Sequence, residues 1–208
     1  MSEDLGFVHR YIAGDEDGAT LLLLHGTGGD ENDLIPLGQE LAPGAAVLSP
    51  RGQVSEHGAP RFFRRLAEGV FDMEDLIFRT HELAEFAEAA TEEYGFDPAK
   101  LVAAGYSNGA NIAASLMLLH AGLLKAAVLF RAMVPLEPEV TPDLSGMPVF
   151  ISAGRRDQMI PPDNTERLAK MLQEAGADVD LRWRETGHAL TYEEVREARD
   201  WLSESMPA

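Results

Sequence analysis

Apolar residues in this chain fall into short unbroken runs that alternate with segments of helical spacing. Residues 20–24, bounded by Gly18 and His25-Gly26, form one such run. A run without polar alternation suits a strand buried on both faces, as in a parallel sheet. Residues 45–48, 101–105, 126–130, 148–153 and 179–183 read as further strands, and 7–13 as a first strand at an edge. Between them, residues 30–41 carry Leu34, Leu37 and Leu41 at helical spacing. Residues 72–94 form an amphipathic helix whose buried stripe is Leu76, Leu83, Phe86 and Ala90, ended by Gly95. Residues 108–120, 165–175 and 192–202 complete the helices. Strands and helices alternating along the chain predict an α/β fold, a mostly parallel twisted sheet with helices on both faces.

Residues 50–71 break this rhythm. They hold Pro50, Gly52, Gly58, Pro60 and Gly69 together with Phe62, Phe63 and Phe71. The expectation is a long loop or small lid, and loops of that length are usually functional.

Composition narrows the picture. The chain has 208 residues, which fits one domain spanning residues 1–208. The formal net charge is -18, with acids scattered along the chain. That charge disfavours nucleic acid and anionic membrane surfaces as partners. There are no cysteines, which removes disulfides, thiolate metal ligands and thiol nucleophiles. Residues 1–4 carry acids instead of a basic leader, and no apolar run is long enough to span a bilayer. A cytoplasmic location is expected.

Candidate chemistry centres on Gly105-Tyr106-Ser107-Asn108-Gly109. This fits G-x-S-x-G, a strand-to-helix turn that projects a serine hydroxyl from the sheet edge. Both flanks are right: an apolar strand precedes it and a helix with Ile112, Leu116 and Leu119 follows. A serine needs a base to take its proton. Of six histidines, His188 lies after the last strand and before the last helix, late in the chain as the order Ser…Asp…His requires. His9, His25, His57, His81 and His120 are less well placed. The orienting acid should follow a strand between Ser107 and His188. Asp157 does so, after Gly154-Arg155-Arg156. Asp143 precedes its strand, Asp163 is placed as a helix N-cap, and Asp178 and Asp180 open the last strand. Acyl transfer also needs N–H donors for the oxyanion. His25-Gly26-Thr27-Gly28-Gly29 follows a buried strand, so the amides of Thr27 and Asn108 are the expected donors. A phosphate-binding loop is a weaker reading, since no lysine follows and the G-x-G-x-x-G spacing is absent.

These landmarks, with Ile160-Pro161 and Gly187-His188, resemble the phospholipase/carboxylesterase family of α/β-hydrolases, which also contains acyl-protein thioesterases. Asp30-Glu31-Asn32-Asp33-Leu34 and Ser49-Pro50-Arg51-Gly52 look like the small bacterial carboxylesterases of that group. The resemblance implies hydrolysis of short- or medium-chain carboxylic esters or thioesters through an acyl-enzyme. It implies no metal or organic cofactor, and that homodimers are common. Dienelactone hydrolases, similar in size and topology, use a cysteine nucleophile, which argues against them as relatives. Cofactor-free perhydrolases and haloperoxidases share the fold and triad, so that activity is an alternative. A non-catalytic binding protein on the same fold is another, disfavoured by the intact Ser-His-Asp order. Acyl-pocket candidates are Phe62, Phe63, Phe71, Met133 and Met159, each with core packing as an equal alternative. Arg131, following a strand, is a candidate at the site mouth, paired with a substrate carboxylate or a lid acid.

Overall fold

The computed structural model describes residues 5–16 and 18–206. Residues 1–4, read above for a leader, lie outside the described residues. Seven strands form the central sheet: β1 (His9–Ile12), β2 (Thr20–Leu24), β3 (Ala46–Pro50), β8 (Leu101–Tyr106), β9 (Ala126–Phe130), β10 (Pro148–Gly154) and β11 (Asp178–Arg184). Their spatial order is β1-β3-β2-β8-β9-β10-β11. Only β1 runs antiparallel, against β3, so the sheet is parallel from β3 to β11.

The unbroken apolar runs are explained by burial on two faces. Leu22 and Leu24 of β2 join one apolar cluster, while Leu21 and Leu23 join the other. Helices α2 (Met73–Tyr94), α3 (Asn108–Leu119) and α4 (Pro162–Glu174) cover the first face. Helices α1 (Ile35–Leu41) and α5 (Tyr192–Ser205) cover the second. The stripe on α2 is buried as expected, and its ends carry the expected signals. The Asp72 carboxylate accepts from the Asp75 amide, and Gly95 closes the helix in the left-handed conformation. Among the described residues, no helix is long and apolar enough to cross a membrane.

Three expectations need correction. The first helix begins at Ile35, not at residue 30, because Pro36 is tolerated only in a first turn. Asp163 is not the N-cap of α4; Pro161 holds that position and Asp163 sits in the first turn. Residues 50–71 are not an unstructured loop. They fold into two small hairpins, β4 (Val54–Glu56) with β5 (Ala59–Arg61), and β6 (Arg65–Ala67) with β7 (Val70–Phe71). The first turns at His57 and Gly58, both at positive φ (53° and 88°), which matches the twist of paired strands.

Candidate active site

The site is assembled at the carboxyl ends of the parallel strands, where ligands gather in such sheets. Ser107 stands between β8 and α3 with φ 52° and ψ -114°. A serine at positive φ is strained, and its surroundings hold it there. The Ser107 amide donates to Phe130 O at 2.8 Å. A side chain at residue 109 would run into the Leu24 carbonyl, so glycine there lets α3 press against β2.

His188 follows β11 and Asp157 follows β10. The structure brings both to Ser107. His188 Nδ1 lies 2.7 Å from Asp157 Oδ2, and its Nε2 lies 2.9 Å from Ser107 Oγ. A carboxylate accepts only, so Nδ1 carries the proton and Nε2 is left to accept from the serine. The other Asp157 oxygen accepts from the amides of Met159 (2.8 Å) and Ile160 (3.2 Å). This fixes the carboxylate, whose side chain is 2% exposed. The other aspartates considered lie elsewhere: Asp143 bonds Ser145, and Asp180 bonds Arg182.

Three consecutive carbonyls hold the histidine loop. Arg131 donates to Gly187 O (3.0 Å) and Ala189 O (2.9 Å), and the Tyr106 hydroxyl donates to His188 O (3.1 Å). This overturns the expectation for Arg131. The chain leaves β9 through a left-handed residue (φ 57°), and the guanidinium lies fully buried beneath the loop. Its counter-ion is Glu194 of α5, at 2.6 and 3.0 Å. Burial pushes the Glu194 carboxyl up. Hydrogen bonds from Arg131, Ser152 and Thr191 outweigh it and hold the group below the usual carboxylate range. Sequence reasoning missed Glu194, which looks like an ordinary capping-box acid.

A cavity of about 320 Å³ opens beside Ser107 and His188. Thr27 and Asn108, expected to supply oxyanion donors, both line it. Asn108 is the first residue of α3, so its amide has no partner within the helix. His25 secures the Thr27 loop. Its Nδ1 donates to Gly26 O at 2.7 Å, and its Nε2 accepts from the Gly52 amide at 2.9 Å. Burial lowers its pKa, which keeps it neutral and able to accept. Nearby, Arg51 and Glu31 form a two-pronged ion pair at 2.5 and 2.8 Å. The two motifs read at residues 30–34 and 49–52 therefore meet in space.

Of the pocket candidates, Phe71, Met133 and Met159 line the cavity. Phe62 and Phe63 do not; they are 2% and 0% exposed and belong to the core, against His25 and Phe71. Consecutive residues at the end of a hairpin carry enough apolar area to be drawn under it. Instead, Arg61 and Arg65 reach the cavity wall, as does Glu68. No local pattern in the sequence singled these out. Among the described residues, no group of three or more His, Cys, Asp or Glu side chains is spaced to hold a metal ion.

The comparisons agree with this architecture. The model of the Dienelactone hydrolase family matches residues 63–203. MhqD of Bacillus subtilis (strain 168) is 46% identical over 198 residues, covering 95% of this chain and 98% of MhqD. The crystal structure of the Bacillus cereus carboxylesterase superposes with a TM-score of 0.94 at 49% identity, covering 96% of this chain and 95% of that one. A structure of YahD with malic acid gives a TM-score of 0.92 at 34% identity, covering 96% of this chain and 100% of YahD. The expectation against dienelactone hydrolases is thus corrected at the level of family. The absence of cysteine excludes a thiolate mechanism here, not kinship, because Ser107 occupies the elbow.

Proposed function

We propose, from the premise that this chain belongs to the Dienelactone hydrolase family and is an esterase-type hydrolase, that it cleaves carboxylic esters or thioesters through an acyl-enzyme on Ser107. The observation that carries the proposal is the hydrogen-bonded line from Ser107 Oγ through His188 to Asp157 Oδ2, at 2.9 and 2.7 Å. His188 Nε2 takes the serine proton as Oγ attacks the acyl carbon. The oxyanion that forms is met by the amides of Thr27 and Asn108. Collapse expels the alcohol or thiol, which takes its proton from His188. Water then attacks the acyl carbon, giving its proton to His188, and the acid leaves as Ser107 recovers the proton. Asp157 holds the imidazole in the required tautomer and stabilises the imidazolium.

Cavity size favours short or medium acyl chains, since about 320 Å³ is at the small end of ligand sites. Malic acid in the YahD structure makes carboxylate-bearing esters worth including among candidate substrates. The test is turnover of 4-nitrophenyl esters and matched acyl thioesters from two to ten carbons. Activity concentrated at the short end is expected. No turnover of any member overturns the proposal.

A further inference from the structure

The central sheet ends at β11, which pairs with β10 and with no other strand. The Asp178 amide donates to Met147 O at 2.9 Å, and Arg184 O accepts from the Arg155 amide at 2.7 Å. Both ends of the strand therefore turn even-numbered residues toward β10. Backbone groups alternate sides along a strand, so those of Val179, Leu181 and Trp183 point away from the sheet. Among the described residues, nothing bonds them. A seven-residue open edge can accept another strand, and proteins usually blunt such edges with charge.

Here the charge has a direction. The strand reads Asp-Val-Asp-Leu-Arg-Trp-Arg, with acids before its midpoint and bases after it. A second copy laid antiparallel, with the two-fold axis at Leu181, sets Asp180 opposite Arg182 and Asp178 opposite Arg184. Each of these pairs occurs twice. On the other face Leu181 meets Leu181, and Val179 meets Trp183. Both faces are thus matched, opposite charges on one and apolar side chains on the other.

The backbone asks for the same register. In an antiparallel ladder, pairs that exchange both hydrogen bonds alternate with closer pairs that exchange none. The outward-pointing residues 179, 181 and 183 are the ones this axis pairs by hydrogen bonds. The charged residues fall at the closer positions. Moving the axis one residue either way would set Asp180 against Asp180, or Arg182 against Arg182. Within one strand Arg182 already donates to Asp180 at 2.7 Å, and Glu197 of α5 pairs with Arg184. A second copy extends these pairs into a network across the axis. The net charge of -18 on each copy opposes association, but salt screens separated charges beyond about 8 Å and leaves touching pairs effective.

We propose that β11 is a self-complementary dimer edge, on which a second copy of this chain pairs antiparallel about Leu181 to continue the sheet. The interface does not rest on hydrolysis at Ser107.

The test is sedimentation velocity at physiological salt over roughly 1–300 μM, which brackets the micromolar dissociation constant expected of a small interface. Wild-type protein should pass from monomer to dimer in that range. Arg182→Asp and Asp180→Arg should each weaken the dimer roughly 10- to 100-fold, since each makes two attractive pairs repulsive. Mixed in equal amounts, the two variants should associate with each other as tightly as wild type, because every acid again meets a base. A second arm stands even if a charge variant fails to fold. The chain has no cysteine, so Leu181→Cys introduces a single thiol. Its Cα would lie about 5.5 Å from that of its copy, within disulfide reach. Mild oxidation should link it, whereas Val179→Cys, about 14 Å from its copy, should stay unlinked. A wild-type monomer across the range overturns the proposal. So do charge variants that dimerise like wild type, a mixture of folded variants that stays monomeric, or linkage no faster at 181 than at 179.

Discussion

Ser107 sits at φ 52°, held by its own amide bond to Phe130 O and by the close approach of α3 to β2. Arg131, itself held by Glu194, does the corresponding work for His188, by donating to the carbonyls on either side of it. Removing one member of a fully buried ion pair strands the other, which typically costs about 3–5 kcal/mol. Arg131→Met should therefore destabilise the protein by about that much in urea unfolding. The double variant Arg131→Met/Glu194→Leu removes both charges and should recover part of the stability, the remainder being lost with the partners of Ser152, Thr191 and the loop carbonyls. It should still turn over more slowly, because the Gly187 and Ala189 carbonyls lose their donor. Equal kcat in the double variant and wild type would show that the pair serves folding alone. The two halves of this device were unequally legible. The place of His188 follows from local order along the chain, whereas Arg131 and Glu194 are 63 residues apart and no local pattern links them.

At the scale of elements, the strand–turn–helix around Ser107 was readable because its small residues have a local cause. A methyl group at residue 109 would collide with the Leu24 carbonyl. Gly109→Ala should thus lower stability by about 1–3 kcal/mol or more, the usual range for overpacking, and depress activity further by shifting α3. A wild-type melting temperature in that variant would refute the close-approach argument. The two hairpins in residues 54–71 were not readable, because strands of two or three residues carry no measurable period. Their consequence is large. They bury Phe62 and Phe63, leave Phe71 at the cavity and bring Arg61 and Arg65 to its wall.

For the molecule as a whole, alternating runs and helices specified a sheet covered on both faces, and the buried stripes agree with it. Acid stability is also a property of this scale. His25 and His120 titrate below the ordinary 6.5, each because burial disfavours the charged ring. The unfolded chain then binds protons first, so their contribution is full above about pH 6.5 and is lost as pH falls below it. Glu31, Glu56 and Glu194 titrate below the ordinary 4.5, so theirs is full above that value and lost beneath it. Self-repulsion of a chain with net charge -18 eases on acidification and opposes both trends smoothly. Melting temperature should therefore fall in two stages from pH 7.5 to 3.5. His25→Gln should flatten the first, and an unchanged first stage would remove His25 from the account.

The central claim is that Ser107 is the nucleophile, activated by His188. It is tested most directly by reaction with a fluorophosphonate, with the adduct located by mass spectrometry. One phosphonyl group on Ser107 is predicted, with none on the Ser107→Ala protein and much slower labelling of His188→Ala. Turnover by Ser107→Ala should fall on the order of 10⁴-fold or more. A wild-type protein that hydrolyses esters without labelling at Ser107, or a Ser107→Ala protein that retains full turnover, would contradict it.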